Sequence, residues 1–313
     1  QLKEKKRPKL PHFLIIDEAH MSTEDKEHVI AIATSIRNMQ ITLNKKPIKL
    51  IIMSATLDSV GIQDQITTQD FVPQILDLES SYRYPIETYY SPKWMASHKD
   101  AIDYGTRKVV SKLGDTQFLN NILLFVTTVK ECEFLAQFFK TKFPQITCVP
   151  VHSQVNDLTE KLNTKEQTVY IATDIATSSI TLPKIGYVVN TGYVCRIYEG
   201  MNGFNTMKMV NSSKASVKQR CGRTGRVCEG MVDNCFSEKQ FKTFDPFDPV
   251  ETDLTTPYSS TMTTISYGFD PKELMRDSLS DRLDEVQEQL ECLGFLETDN
   301  DSNQYKMTEM GKK

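Results

Sequence analysis

The chain has 313 residues, enough for two or three compact domains. Its hydrophobic content is 39%, neither Gly nor Pro is enriched at 13 each, and no internal repeat or low-complexity tract occurs, so an ordinary globular protein is expected. The formal net charge of -4 argues weakly against a nucleic-acid partner when taken alone. No apolar run approaches the roughly 20 residues of a membrane span, so no membrane partner is expected. The basic, polar start from Gln1 to Leu10 lacks the apolar core of a secretory signal. Seven cysteines without a C-x-x-C pair point away from a zinc site and from a disulfide framework. A reducing, intracellular setting is the expectation.

In chain order, short runs of Ile, Val, Leu and Phe alternate with helical stretches. Strands are expected at Phe13 to Ile16, Lys49 to Met53, Asn121 to Val126, Thr147 to Val151, Thr168 to Ala172 and Gly186 to Asn190. Helices are expected at Asp25 to Met39 and Val129 to Lys142, the second with Phe134, Leu135, Phe138 and Phe139 as its apolar face. This alternation implies doubly wound α/β layers with parallel sheets. The Tyr- and Pro-bearing run Ser81 to Pro92 reads as a linker, and Phe244 to Pro249 breaks periodicity again. Beyond it, Leu279, Leu283, Val286, Leu290 and Leu293 recur at helical spacing, with Asp277 or Ser278 as cap and Gly294 as stop. Phe295-Leu296 and Tyr305 to Met307 read as two short strands, so a helix plus hairpin suggests the start of a winged helix. The expected domains are therefore 1–90, 91–246 and 247–313.

Four segments carry chemistry. Asp17-Glu18-Ala19-His20 follows a strand directly, where α/β folds bind ligands. One of its acids suits Mg²⁺ and its neighbour suits an attacking water. Ser54-Ala55-Thr56 follows the next strand and offers hydroxyls that could report phosphate state. Thr173 to Thr181 is dense in hydroxyls and amides, which suits a phosphate backbone. Gln219-Arg220-Cys221-Gly222-Arg223-Thr224-Gly225-Arg226 combines arginines with glycines that permit close backbone approach, as contact with a polyphosphate requires. Arg196 to Arg226 carries Arg196, Lys208, Lys214, Lys218, Arg220, Arg223 and Arg226 against a lone Glu199, and reads as a local basic surface on an acidic chain.

The four segments, in this order, resemble motifs II, III, V and VI of superfamily 2 helicases in the DEAH/RHA and viral NPH-II-like subgroup. Asn121 to Thr128 is similar to motif IV. Leu50 to Asp58 is close to the family's motif III, and Leu290 to Gly311 resembles the opening of its winged helix. The resemblance implies two RecA-like parallel-sheet lobes, the first one shortened at its N-terminus, and an NTP-dependent nucleic-acid helicase using ATP or another NTP with Mg²⁺. It makes Asp17 the Mg²⁺-binding acid and Glu18 the water-activating acid, also near the metal. His20 would couple the nucleotide to the second lobe, and Ser54 and Thr56 would link hydrolysis to strand separation. Ser179 would sense nucleotide state. Gln219 would orient the water, Arg223 and Arg226 would be arginine fingers, and Gly222 and Gly225 would lie against the nucleotide. Thr127, Thr173 and Thr181 would grip the nucleic-acid backbone, together with Arg196 and Lys208 of the segment Arg196 to Val210, which matches a hairpin wedge turning at Asn202-Gly203.

Departures from the family sharpen the expectation. No G-x-x-x-x-G-K-[ST] occurs, and Asp17 leaves no room upstream for one, so the sequence reads as part of a longer chain and is expected to be inactive by itself. Pro183 stands where the cellular family places a ribose-binding acid. Leu158 to Asn163 has no base-stacking aromatic, and Thr177 replaces a motif V glutamate. These shifts point toward a viral or divergent member. RNA is the expected partner. A DNA or dual-specificity motor and a non-catalytic nucleic-acid-binding scaffold are the alternatives.

Overall fold

The computed structural model describes residues 11–19, 24–54, 62–63, 66–67, 72–78, 83–155, 166–177, 180–199, 204–274, 279–299 and 304–312. They gather into two compact units: one from 1–76, 201–204 and 249–313, the other from 77–200 and 205–248.

The first unit opens with β1 (Phe13–Ile16), α1 (Glu24–Thr42) and β2 (Lys49–Ile52). The strands pair in parallel from Phe13 opposite Lys49 to Ile16 opposite Ile52. Parallel neighbours need a crossover, and the 19-residue α1 supplies it.

The second unit holds the main sheet. Its strands are β3 (Ile86–Tyr90), β4 (Asn121–Phe125), β5 (Thr147–Val151), β6 (Thr168–Ala172), β7 (Ile185–Asn190) and, after an antiparallel hairpin of β8 (Tyr193–Glu199) and β9 (Asn205–Asn211), β10 (Gly230–Asn234). Six of these run parallel in the order β3-β10-β7-β4-β6-β5. The inner strands β4, β6 and β7 are buried at every position. That is why they read as unbroken apolar runs rather than alternating ones: both faces are covered. One face carries α2 (His98–Leu113) and α3 (Val129–Lys142), whose Ala101, Val109, Cys132, Leu135 and Phe139 pack on Ile122, Leu124, Ile171 and Val189. The other face buries Leu123, Phe125, Tyr170 and Val188 beneath Ile180, Leu182 and Cys221. The unit closes with α4 (Lys214–Cys221) and α5 (Glu238–Lys242).

Two expectations change. The apolar face of α3 is Cys132, Leu135, Ala136 and Phe139, while Phe134 is 71% exposed and Phe138 lies at the edge. Positions 132, 135, 136 and 139 follow the i, i+3, i+4, i+7 rule, whereas 134 and 138 sit one residue off that stripe. Nor is the run 81–92 merely a linker. Its Ile86–Tyr90 forms the edge strand β3, in register with Gly230 to Asn234.

The chain then returns to the first unit with α6 (Glu251–Leu254), α7 (Tyr258–Ser266), α8 (Pro271–Leu274) and α9 (Ser280–Cys292), followed by the antiparallel pair β11 (Leu296–Thr298) and β12 (Tyr305–Met307). Val286 and Leu290 of α9 join Ile265 and Leu296 in a small core. Gly294, with φ 80°, stops the helix as expected, because the left-handed conformation suits glycine. The expected caps Asp277 and Ser278 lie outside the described residues. His28 of α1 is buried against α7, its Nε2 2.5 Å from Thr264 Oγ1.

Candidate functional site

In the first unit the carboxyl ends of β1 and β2 lie side by side. Met53 N–H donates to Ile16 at 2.8 Å, and Ala19 N–H donates to Met53 at 3.0 Å. Asp17 and Glu18 follow β1 immediately and are exposed. Glu18 has φ 51°, the left-handed region that a glutamate rarely adopts. Its N–H donates to Asp17 Oδ1 at 2.8 Å. The sharp turn therefore holds two adjacent carboxylates at the loop edge of parallel strands. Ser54 lies half-buried just beyond β2. His20, Thr56 and Ser179 lie outside the described residues.

Among the described residues no group of three or more His, Cys, Asp or Glu side chains converges as a metal cage. One or two carboxylates with the rest of the shell from water and phosphate is the donor set of a hard, partly hydrated cation. Asp17 and Glu18 therefore fit Mg²⁺ better than a metal that needs several protein ligands.

In the second unit, Thr127 and Thr173 end adjacent strands at the carboxyl edge of the sheet. Val126 N–H donates to Ala172, and Thr173 N–H donates to Val151. Glu131 shapes the first of these loops. Its Oε2 accepts from the N–H groups of Thr127 and Thr128, each at 2.9 Å, and its Oε1 lies 2.8 Å from His98 Nε2. Thr128 in turn caps α3, so the loop is fixed by a reciprocal capping box. The Thr127 hydroxyl is buried with no partner among the described residues.

Thr173 leads into a short 3-10 turn, Asp174–Thr177. Asp174 Oδ1 accepts from Thr177 Oγ1 at 2.7 Å and from Arg220 Nη2 at 3.1 Å. Burial pushes the pKa of this carboxyl up, but Arg220, the Thr177 hydroxyl and Arg196 outweigh burial and hold it below the ordinary aspartate value. Arg220 is fully buried. Its Nη1 donates to Asn190 Oδ1 at 3.1 Å and its Nη2 to the Tyr193 carbonyl at 3.2 Å, while the guanidinium lies 5.2 Å over the Phe125 ring. One guanidinium thus ties the turn after β6, the end of β7 and the root of the hairpin together.

The segment that follows runs the length of β7. Arg220 meets Asn190 at its carboxyl end, and Thr224 Oγ1 donates to Ile185 at its amino end at 2.9 Å. Gly222 closes α4, donating to Lys218 at 3.0 Å. Gly225 has φ 73°, and a Cβ there would stand 2.6 Å from Ile86 Cγ1 and 3.1 Å from the Tyr84 carbonyl. Close packing on β3 alone therefore requires glycine at 225. Arg223 is buried, with Nη1 donating to the Ile180 carbonyl at 3.0 Å; Arg226 is exposed, its Nε donating to Gly222 at 2.8 Å. Gln219 is half-buried on α4. Thr181 is exposed and follows Ile180, whose carbonyl accepts from Arg223.

In the hairpin, Arg196 pairs with Lys208 across the strands. Lys208 is exposed and lies 5.1 Å over the Tyr198 ring. Arg196 is ion-paired with Asp248 and only 14% exposed at its side chain. The expected turn at Asn202-Gly203 lies outside the described residues. The seven basic residues of 196–226 do not form one surface: Arg220 and Arg223 are buried, Arg196 is neutralised and Lys214 is half-buried, which leaves Lys208, Lys218 and Arg226 exposed. Within α4, Lys218 and Arg220 are two positions apart and so face roughly opposite sides of the helix, one exposed and the other buried.

Arg220, Asp174 and Asp248 were not singled out individually from the sequence. A usable signal was present for the first. Ser213, Ser216, Val217 and Arg220 share one side of α4, and all are buried.

Residues 106–228 match the helicase conserved C-terminal domain. Human ATP-dependent RNA helicase DHX33 is 27% identical over 318 residues, covering 96% of this chain and 43% of its own length. Protein L540 of Acanthamoeba polyphaga mimivirus is 28% identical over 242 residues, covering 74% of this chain and 33% of its own. Crystal structures of the Escherichia coli DEAH/RHA helicase HrpB superpose with TM-scores of 0.74 and 0.76 at 21% and 22% identity, over 96% of this chain. They share the RecA-like fold. Residues 106–228 thus match a helicase C-terminal domain, and the chain is similar to ATP-dependent RNA helicases over most of its length. It spans less than half the length of these relatives, and no described helix is long and apolar enough to cross a membrane.

Proposed function

We propose that the protein is an NTP-dependent RNA helicase that couples hydrolysis to translocation and strand separation. The observation that carries this reading is the placement of Asp17 and Glu18 at the carboxyl end of β1, beside the end of β2, where open α/β sheets bind ligands. The relatives named as ATP-dependent RNA helicases support it.

Asp17 would hold Mg²⁺, which supplies charge neutralisation on the phosphates. Glu18 would accept the proton of the attacking water, and Gln219 would orient that water. Arg226, exposed, and Arg223, released from the Ile180 carbonyl, would meet charge developing on the transferred phosphoryl group. His20, Ser54, Thr56 and Ser179 would communicate nucleotide state, and Gly222 would let the backbone approach the phosphates. Thr127 and Thr173 would grip the RNA backbone at the carboxyl edge, with Thr181 further along the crossover. The hairpin would act as the wedge, with Lys208 facing the strand. The assignment of two lobes, with 247–313 as linker and winged-helix start, belongs to the same proposal, with the boundary drawn before β3 and not at residue 90, because Ile86–Tyr90 pairs with β10 of the second unit.

The 313-residue chain by itself should hydrolyse no NTP. For the full-length protein, displacement of one strand from an RNA duplex should require a hydrolysable NTP, and unlabelled RNA should compete better than DNA of the same sequence. Equal competition would make it a dual-specificity motor. RNA binding with no NTP-dependent displacement would make it a scaffold.

A further inference from the structure

Hairpin β8–β9 and helix α4 are joined more tightly than their connection alone requires. Only Ser212 and Ser213 separate Asn211 at the end of β9 from Lys214 at the start of α4, and both serines are buried. Ser212 N–H donates to Gly192 at 2.8 Å, which closes the hairpin at its root.

A third segment clasps this junction. Phe244 is buried against the Phe236 ring, with centroids 5.0 Å apart, in a cluster that also holds Val217 of α4. From that anchor the chain crosses the first turn of α4. The Asp245 and Pro246 carbonyls accept from Lys214 and Ala215 N–H at 2.8 and 3.0 Å, two donors that a helix start leaves without intrahelical partners. Asp248 then reaches both elements. One oxygen takes Arg196 of β8 and the other takes the Ser216 hydroxyl of α4. The two side chains are 14% and 25% exposed, so water screens this pair less than a surface pair. Asp248 is also the last residue of its compact unit.

We propose that Asp248 is a positioning residue that locks the hairpin to the helix carrying Gln219 and Arg220, so that a shift of α4 during the NTP cycle moves the hairpin with it. Arg196 serves as the hairpin's half of this lock and not as a phosphate contact. The inference rests on the helicase reading above. A carboxylate shared between an arginine and a hydroxyl fixes two elements by direction as well as by charge, and coupling of distant events needs such a shared element.

The test uses the full-length protein with Asp248→Asn, Ser216→Ala and the exchange Arg196→Asp with Asp248→Arg. Two quantities are read: strands separated per NTP hydrolysed, and amide exchange of β8 and β9 relative to β4. Asp248→Asn should leave RNA-independent hydrolysis unchanged, raise exchange in the hairpin, and lower strands separated per NTP by about tenfold. Ser216→Ala should move both quantities in the same direction by less, and the charge exchange should restore both toward wild type. Tighter RNA binding in Asp248→Asn with separation per NTP unchanged would assign Arg196 to the RNA and overturn the proposal. So would unchanged hairpin exchange. A wild-type protein that separates no strands would instead sink the helicase reading, while the exchange measurement would still report on the clasp.

Discussion

Arg220 and Asp174 stand 46 positions apart in sequence and close on each other at 3.1 Å, the arginine fully buried and the aspartate half-exposed. The same guanidinium holds Asn190 and the Tyr193 carbonyl. It is therefore a structural joint between the turn after Thr173 and the hairpin, and not a group waiting for phosphate.

Arg220→Ala should accordingly lower the unfolding free energy by about 3 kcal/mol, the low end for breaking a buried pair because Asp174 keeps some water. Arg220→Lys should recover only part of it, since one ammonium cannot replace a fork that serves three acceptors. Urea unfolding of the 313-residue chain measures both. A loss below about 1 kcal/mol for Arg220→Ala would show that the joint carries little.

The pH dependence follows from Asp174. Burial opposes its charge, and Arg220, Thr177 and Arg196 more than offset that, so its folded-state value lies below the unfolded one. A carboxyl shifted in this direction stabilises the fold above its unfolded value and loses that contribution as pH falls through the folded one. Asp174→Asn should therefore be less stable than wild type at neutral pH, and the gap should narrow as pH falls from about 5 toward about 2. A gap independent of pH would contradict the assignment.

Most of the sheet was legible because buried parallel strands announce themselves. Thr147–Val151 and Thr168–Ala172 match the expected bounds to the residue. Strand β3 was not legible, since Tyr89 and its neighbours on an edge strand are half-exposed and flanked by prolines. Asp17 and Glu18 could be placed at a strand end from local pattern, whereas the helix Lys214–Cys221 that carries Gln219 was not expected. The partners of Arg196 and Arg220 could not, because ion pairs to Asp248 and Asp174 are contacts of long sequence separation. Gly225 shows a different limit. The sequence suggested room for phosphate, and the structure adds a packing reason against Ile86 that no local pattern carries.

The two candidate fingers should separate in their phenotypes. Arg226 is exposed and Arg223 is buried on the Ile180 carbonyl. In the full-length protein Arg226→Ala should reduce kcat by at least about 10³-fold with the melting temperature unchanged. Arg223→Ala should cost both rate and stability. Unchanged kcat in Arg226→Ala would remove it from the reaction.

Nucleotide choice should be broad. Pro183, whose carbonyl accepts from Asn121 Nδ2 at 2.7 Å, offers no carboxylate to a ribose, while Arg223, Arg226 and Gln219 address groups every NTP shares. Steady-state kinetics on ATP, GTP, CTP and UTP should give kcat/KM values within about tenfold, or roughly 1.4 kcal/mol. An ATP preference above about a hundredfold would contradict this account of the pocket.

The most direct measurement is strand separation and NTP turnover by the full-length protein against its Glu18→Gln variant. The amide keeps the shape of Glu18 but cannot take a proton from water. Wild type should hydrolyse NTP and separate duplex RNA, while Glu18→Gln should bind NTP with undiminished affinity and do neither. Turnover by Glu18→Gln within about fivefold of wild type, against the 10²- to 10⁴-fold that a positioned base contributes, would contradict the role given to Glu18 and the hydrolysis mechanism built on it.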